Sequence, residues 1–179
     1  MTYNKAYTYA AEFLGEFEYY IKSECEFTGE IRREETEIKK IEIIVRAYTE
    51  EITNYCKEKA LRDKIVIKHS GYWLKKFDWL ECGLEVNIFI ANPVNYGIIH
   101  LLSTGNKHFN RKIMCEIRKH KHYYGGSGLG NYDLKEYLRK NDGTIIDTPT
   151  EQEVFCVLKK EFIKPELRKI NQKGEVQIF

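Results

Sequence analysis

The chain has 179 residues, 42% hydrophobic and 31% charged, which is enough apolar material for a packed core and excludes a disordered polypeptide. With a formal net charge of +2 and a pI near 8.2, affinity for nucleic acid has to come from local patches and not from the overall charge. Five scattered cysteines (Cys25, Cys56, Cys82, Cys115 and Cys156) form no CxxC pair, which suits a reducing compartment and speaks against a zinc or redox centre.

Small and apolar side chains at three- and four-residue spacing (Ala6, Ala10, Phe13, Leu14, Phe17, Tyr20, Ile21) predict an amphipathic helix over residues 4–23. The start "MTYNKAYTYAAEF" has no signal-peptide core, and no apolar run nears the roughly 18 residues of a membrane span, so a soluble cytoplasmic protein without membrane partners is expected. "IKKIEIIVRA" predicts a strand around residues 40–46, and "EEITNYCKEKALRDK" a helix. Three strands follow in "KIVIKHS", "GYWLKKFDWL" and "GLEVNIFIA", with turns at 69–71 and 81–83; Asn92-Pro93 ends the last of them. "PVNYGIIHLLSTG" predicts a helix stopped near Gly105, and "NKHFNRKIMCEIRKHKH" a second one. "GGSGLG" reads as a loop; lacking a following Gly-Lys-Ser/Thr, it is no P-loop. Beyond it lie short strands such as "GTIID" and a helix started by Thr148-Pro149-Thr150-Glu151. The sum is an α+β protein with a small mixed sheet and a later helix-plus-strand lobe.

Two patches carry candidate binding chemistry. Lys107, Arg111, Lys112, Arg118, Lys119 and Lys121 are interleaved with aromatics over residues 106–124, which reads either as a nucleic-acid surface or as a solvated basic helix face. "GYWLKKFDWLE" offers Tyr72, Trp73, Phe77 and Trp79 either as an exposed protein-binding set or as strand residues alternating into the core. His120 and His122, at i and i+2 of a presumed helix, do not share a face and read as basic surface, with Cys115 supplying no third ligand.

"GEIRREETEIKKIEIIV" (29–45), followed by "LEVNIFIANPVNYGIIHLLSTGNKHFNRK" and "TPTEQEVFCVLKKEFIKPELRK", resembles the family X DNA polymerases of the nucleotidyltransferase superfamily, most closely their short phage and viral forms. The resemblance implies a palm over residues 1–103, a small mixed sheet flanked by helices, and a thumb-like lobe over 104–179, with no room for a separate lyase domain before residue 29. It implies phosphate or nucleotide contacts from Gly29, Arg32, Arg33, Thr104, Gly105 and Asn110, and DNA contacts from the thumb basics Lys159, Lys160, Lys164, Arg168 and Lys169.

The family's chemistry uses two divalent metals held by three carboxylates, two of them two residues apart on one strand so that both face the same way. Here those places map to Lys40, Glu42 and Asn87. A charged lysine is all donor and cannot ligate a cation. Glu30 stands where the resemblance puts a phosphate-gripping serine, leaving Arg32 and Arg33 to pair with Glu30, Glu34 or Glu35. A shifted set of Glu37, Glu42 and Glu85 would demand strand displacements of about 3.3 Å per residue, more than metal geometry tolerates. The expectation is therefore a pseudoenzyme with no metal or other cofactor, binding nucleic acid or a protein. If phage-encoded, it would sit in the host cytoplasm as an inhibitor of a defence or replication complex. The alternative is an active minimal gap-filling polymerase using Mg²⁺ or Mn²⁺ at Glu42.

Overall fold

The computed structural model describes residues 1–125 and 136–169, so the expected loop "GGSGLG" lies outside the described residues except for Gly125. The chain divides into two compact units, Met1–Ala91 and Asn92–Phe179. The resemblance implies a boundary after residue 103. In the structure the helix preceding that point goes with the second unit.

In the first unit, helix α1 (Tyr3–Ile21) leads to strand β1 (Cys25–Phe27) and a single helical turn, α2 (Gly29–Arg32). Then come β2 (Lys40–Arg46), α3 (Thr49–Leu61), β3 (Ile65–Ser70), β4 (Leu74–Trp79) and β5 (Leu84–Ala91). The sheet order is β1-β2-β5-β4-β3, with β2 and β5 parallel and the other pairs antiparallel. The predicted α+β class with a mixed sheet is thus found. The turn before β4 falls at residues 71–73, slightly later than expected.

One sheet face holds the core. Ala6, Ala10, Phe13, Phe17 and Ile21 recur on one stripe of α1, and Ile52, Tyr55 and Cys56 on α3. They pack with Ile41, Ile43 and Val45 of β2, Val86, Ile88 and Ile90 of β5, and Phe77 and Trp79 of β4. Each of these large side chains contributes about 1.5–3 kcal/mol by burial. Phe77 and Trp79 are 0% and 8% exposed, because β4 alternates and this is its helix side. The aromatic run is therefore core at its end, and Tyr72, at 57%, is its one mainly exposed ring. Lys75 shares that inner side and is 2% exposed. Its Nζ lies 3.2 Å from Ser70 Oγ, and burial lowers its pKa.

The second unit begins with α4 (Tyr96–Thr104) and α5 (Lys107–Lys119), followed by a sheet of β6 (His122–Gly125), β7 (Tyr137–Lys140) and β8 (Ile145–Ile146). The predicted capped helix is α6 (Glu151–Val157), where Thr150 and Glu153 form a reciprocal capping box. A 3₁₀ turn at Pro165–Leu167 brings Arg168 into the interior. Arg168 is 0% exposed and forks onto Glu151 at 2.8 and 3.1 Å. Its guanidinium also lies over the rings of Phe109, Phe155 and Phe162 and donates to the Ile163 carbonyl. Arg168 is therefore a core residue and not a DNA contact. A Pro-Glu-Leu-Arg segment in isolation gives no sign that its arginine folds back inward.

Candidate functional site

The parallel pairing of β2 with β5 sets Lys40 beside Glu85 and Glu42 beside Asn87. Register partners point to one side, so all four occupy the sheet face opposite α1 and α3. β4 extends both rows, with Lys76 next to Asn87 and Asp78 next to Glu85. His69 of β3 stands beside Lys76.

On that face, Lys40 Nζ lies 2.6 Å from Glu42 Oε1, and Asn87 Nδ2 donates to the same oxygen at 3.3 Å. Glu42 and Asn87 are 5% and 2% exposed, whereas the Lys40 side chain keeps 39% of its surface in solvent. The carboxylate is thus desolvated, with an ammonium reaching it from the rim. Gly29 closes the other side: it takes φ +61, and a Cβ there would overlap Glu42 Oε2. Only glycine meets both conditions. The turn that the resemblance assigns to phosphate therefore packs against this protein's own carboxylate.

Several neighbouring charges are also paired. Lys68 meets Asp78 at 2.6 Å and Glu85 at 3.4 Å, and its pKa rises, chiefly through the hydrogen bond it donates to Asp78. Arg33 is buried and pairs with Glu35 at 3.1 Å. Glu30 accepts from the Lys39 amide at 2.7 Å, bracing the loop. Among the described residues no three His, Cys, Asp or Glu side chains gather as a metal-binding group. The shifted set Glu37, Glu42 and Glu85 does not assemble: Glu85 is held by Lys68, and Glu37 lies in a bridge with Thr2. A pair of magnesium ions needs several carboxylate oxygens. One carboxylate already bound to an ammonium, with an amide N–H turned toward it, does not fit that pair.

In the second unit, Thr104, Gly105 and Asn110 do come together, as a joint between helices. Thr104 is fully buried at the end of α4. Asn106 caps α5 by accepting from the His108 and Phe109 amides, and its Nδ2 donates to the Arg168 carbonyl. Asn110 Nδ2 donates to the Leu102 carbonyl at 2.6 Å, and its Oδ1 stands so close to Gly105 that a Cβ would collide with it. The Thr-Gly-Asn-x-x-Phe-Asn run is thus explained locally by helix capping and close approach.

α5 separates its faces cleanly. Phe109, Ile113 and Ile117 are buried, and Lys107, Arg111, Cys115 and Arg118 form the opposite, exposed stripe. Lys112, Lys119 and Lys121 are also exposed. Glu116 accepts from Lys119 at 2.6 Å and lies 3.6 Å from Lys160; the Lys119 bond lowers the Glu116 pKa and raises that of Lys119. Lys119 is therefore partly neutralised. His120 and His122 correct the expectation made for one continuous helix. α5 ends at Lys119, Lys121 takes φ +57, and the two imidazoles stack with centroids 6.4 Å apart. Lys76, His69 and the Lys68 pairing were not singled out from the sequence, since only strand register brings them to Asn87 and Glu85.

These features define an α+β protein with a mixed-sheet unit and a second unit presenting a basic helix. Residues 100–169 match the family described as DNA polymerase beta thumb, from within α4 to just past the 3₁₀ turn. The match supports a relationship to the polymerase beta-like, family X proteins, whose thumb is a DNA-binding module. No curated protein matches the chain. Among the described residues, no helix is long and apolar enough to cross a membrane.

Proposed function

We propose that this protein is a catalytically degenerate polymerase beta-like nucleotidyltransferase that binds nucleic acid through the α5 stripe. The observation that carries the reading is the Lys40–Glu42–Asn87 constellation, in which an internal ammonium takes the charge-balancing place of metal ions. Lysine supplies no lone pair, so the site has one anionic ligand, already paired, where two-metal transfer needs three. Binding needs none of that chemistry: exposed Lys107, Arg111 and Arg118 on one stripe suit contacts to phosphates, which position a duplex without reading its sequence.

Two measurements test this. The intact chain should bind duplex DNA with an affinity that falls steeply with salt and is the same in Mg²⁺ and in EDTA. Lys107→Ala/Arg111→Ala should flatten the log–log salt slope by about 2, since each lost phosphate contact removes about 0.9. Primer extension on gapped DNA should be absent with Mg²⁺ or Mn²⁺. Extension by the unaltered protein that disappears in Glu42→Ala would overturn the reading in favour of an active gap-filling polymerase. A role as a phage-encoded inhibitor of a host defence or replication complex would instead rest on protein contacts, and the burial of Phe77 and Trp79 removes two of the four rings expected for it. Metal-independent, salt-insensitive binding to a single protein, with no DNA affinity, would favour that reading.

A further inference from the structure

On one side the sheet of the first unit ends in β3, and that edge is open. β3 is the outermost strand, beyond β4, and its residues from Val66 to Ser70 are all exposed. The Leu80 amide donates to the Lys64 carbonyl, so Lys64 and Val66 take the places that bond to β4. Ile65 and Ile67, in the alternate places, therefore aim their N–H and C=O groups outward. Among the described residues no backbone partner meets those outward groups. Edge strands are ordinarily blunted by lysines or bulges. Here the bulge falls between Ile67 and His69, past the regular stretch, and Lys68 reaches away from the edge to Asp78 and Glu85. Two β-branched side chains stay uncovered, Val66 at 52% and Ile67 at 39% exposure, one on each face of the strand.

We propose that this edge takes up an extended segment of a partner protein as a sixth strand, with β-branched residues at the segment's centre and carboxylates at its ends. Register puts Ile65 and Ile67 on the helix side with Trp79 and Phe77, and Val66 and His69 on the other face with Asp78 and Lys76. Lys64, two residues before Val66, shares that second face. A guest strand alongside therefore meets apolar side chains in the middle and cationic groups at both ends, Lys64 at one and His69 with Lys76 at the other. Asp78 and Glu85, the acids beside Val66 on that face, are held by Lys68, while Asp63 offsets part of the charge at the Lys64 end. A second copy of β3 would bring its own cations to the same seam, and like charges across a strand pair are unfavourable. Phosphates answer the cations but not the outward carbonyls, which need donors. The site is independent of the α5 stripe, and the proposal does not rest on the loss of catalysis.

The test titrates the intact chain with a fluorescent peptide, acetyl-SEVVIES-amide, and with its basic counterpart SKVVIKS. Saturable binding of the acidic peptide is expected, stronger than that of the basic one. The acidic peptide N-methylated at its first valine and its isoleucine keeps its charge and loses two amide donors. It should bind about 5- to 150-fold more weakly, the range for two hydrogen bonds. Ile67→Pro removes an outward N–H and none that bonds to β4, which an edge strand tolerates, and should also abolish binding. Hydrogen exchange on the unaltered chain gives a reading that needs no variant: the Ile67 amide should gain protection when the acidic peptide is added. Lys64→Glu/His69→Glu should reverse the preference toward SKVVIKS. Lys107→Ala/Arg111→Ala should leave peptide binding unchanged, which separates this edge from the duplex surface. No peptide binding, equal binding of the N-methylated peptide, or protection elsewhere than in β3 overturns the proposal. So does protection of the Ile67 amide by self-association or by a DNA single strand in place of the peptide.

Discussion

Replacing Glu151 with glutamine should destabilise the second unit by about 3 kcal/mol or more. The Arg168 guanidinium is 0% exposed and makes two bonds to the Glu151 carboxylate, at 2.8 and 3.1 Å. Charge-assisted bonds contribute about 1.5–3 kcal/mol each, giving roughly 3–6 for the fork. Breaking a buried pair by removing one partner costs about 3–5 kcal/mol, because the other charge stays buried. Arg168 would keep the Ile163 carbonyl and the faces of Phe109, Phe155 and Phe162, which points to the lower end. Urea unfolding followed by far-UV circular dichroism measures the loss. Replacing both partners, as Arg168→Met/Glu151→Leu, should recover most of it, since no orphaned charge remains. A loss below about 1 kcal/mol in Glu151→Gln, or a double variant as unstable as the single, would refute the argument.

Three further outcomes follow from the first unit. Gly29→Ala should lower stability by about 2 kcal/mol or more in the same assay, because it combines a left-handed φ with a clash against Glu42. Lys40→Met should cost about 1 kcal/mol at neutral pH, a modest figure because Lys40 is more than a third exposed, and Lys40→Met/Glu42→Gln should restore most of the loss. Lys75 has a folded pKa below its ordinary 10.5 through burial first, opposed in part by Cys56, with a smaller lowering effect from Lys57. Between the two values the unfolded chain holds more protons at this group, so the Lys75 contribution to stability rises with pH across that window, against the buried Cys25, Cys56 and Tyr55, whose raised pKa values make their contributions fall as pH rises. The stability of the unaltered protein relative to Lys75→Met should therefore increase with pH there; a difference that does not change with pH would contradict it.

Local pattern was enough for much of the architecture. The β2 span of residues 40–46 was legible because isoleucines bracket a short run, and α1 because its buried residues recur at helical spacing. The α6 start was legible because Thr150 and Glu153 satisfy each other's amides three residues apart, a strictly local arrangement. The place of Lys40 and Glu42 on one side of β2 also followed, since side chains two apart in a strand share a face.

What the sequence could not fix was whatever depends on a partner distant along the chain. Whether Asn87 meets Glu42 is set by the parallel register of β2 and β5, and whether Glu85 is neutralised depends on Lys68 reaching over from β3. Phe77 and Trp79 turn inward because α1 and α3 cover that side of the sheet, while Tyr72 just beyond does not. Arg168 shows the difference most plainly. Its basic character is written in the sequence, but a guanidinium becomes a surface ligand or a buried pin according to what surrounds it. Here a 3₁₀ turn, three rings and one carboxylate made it a pin.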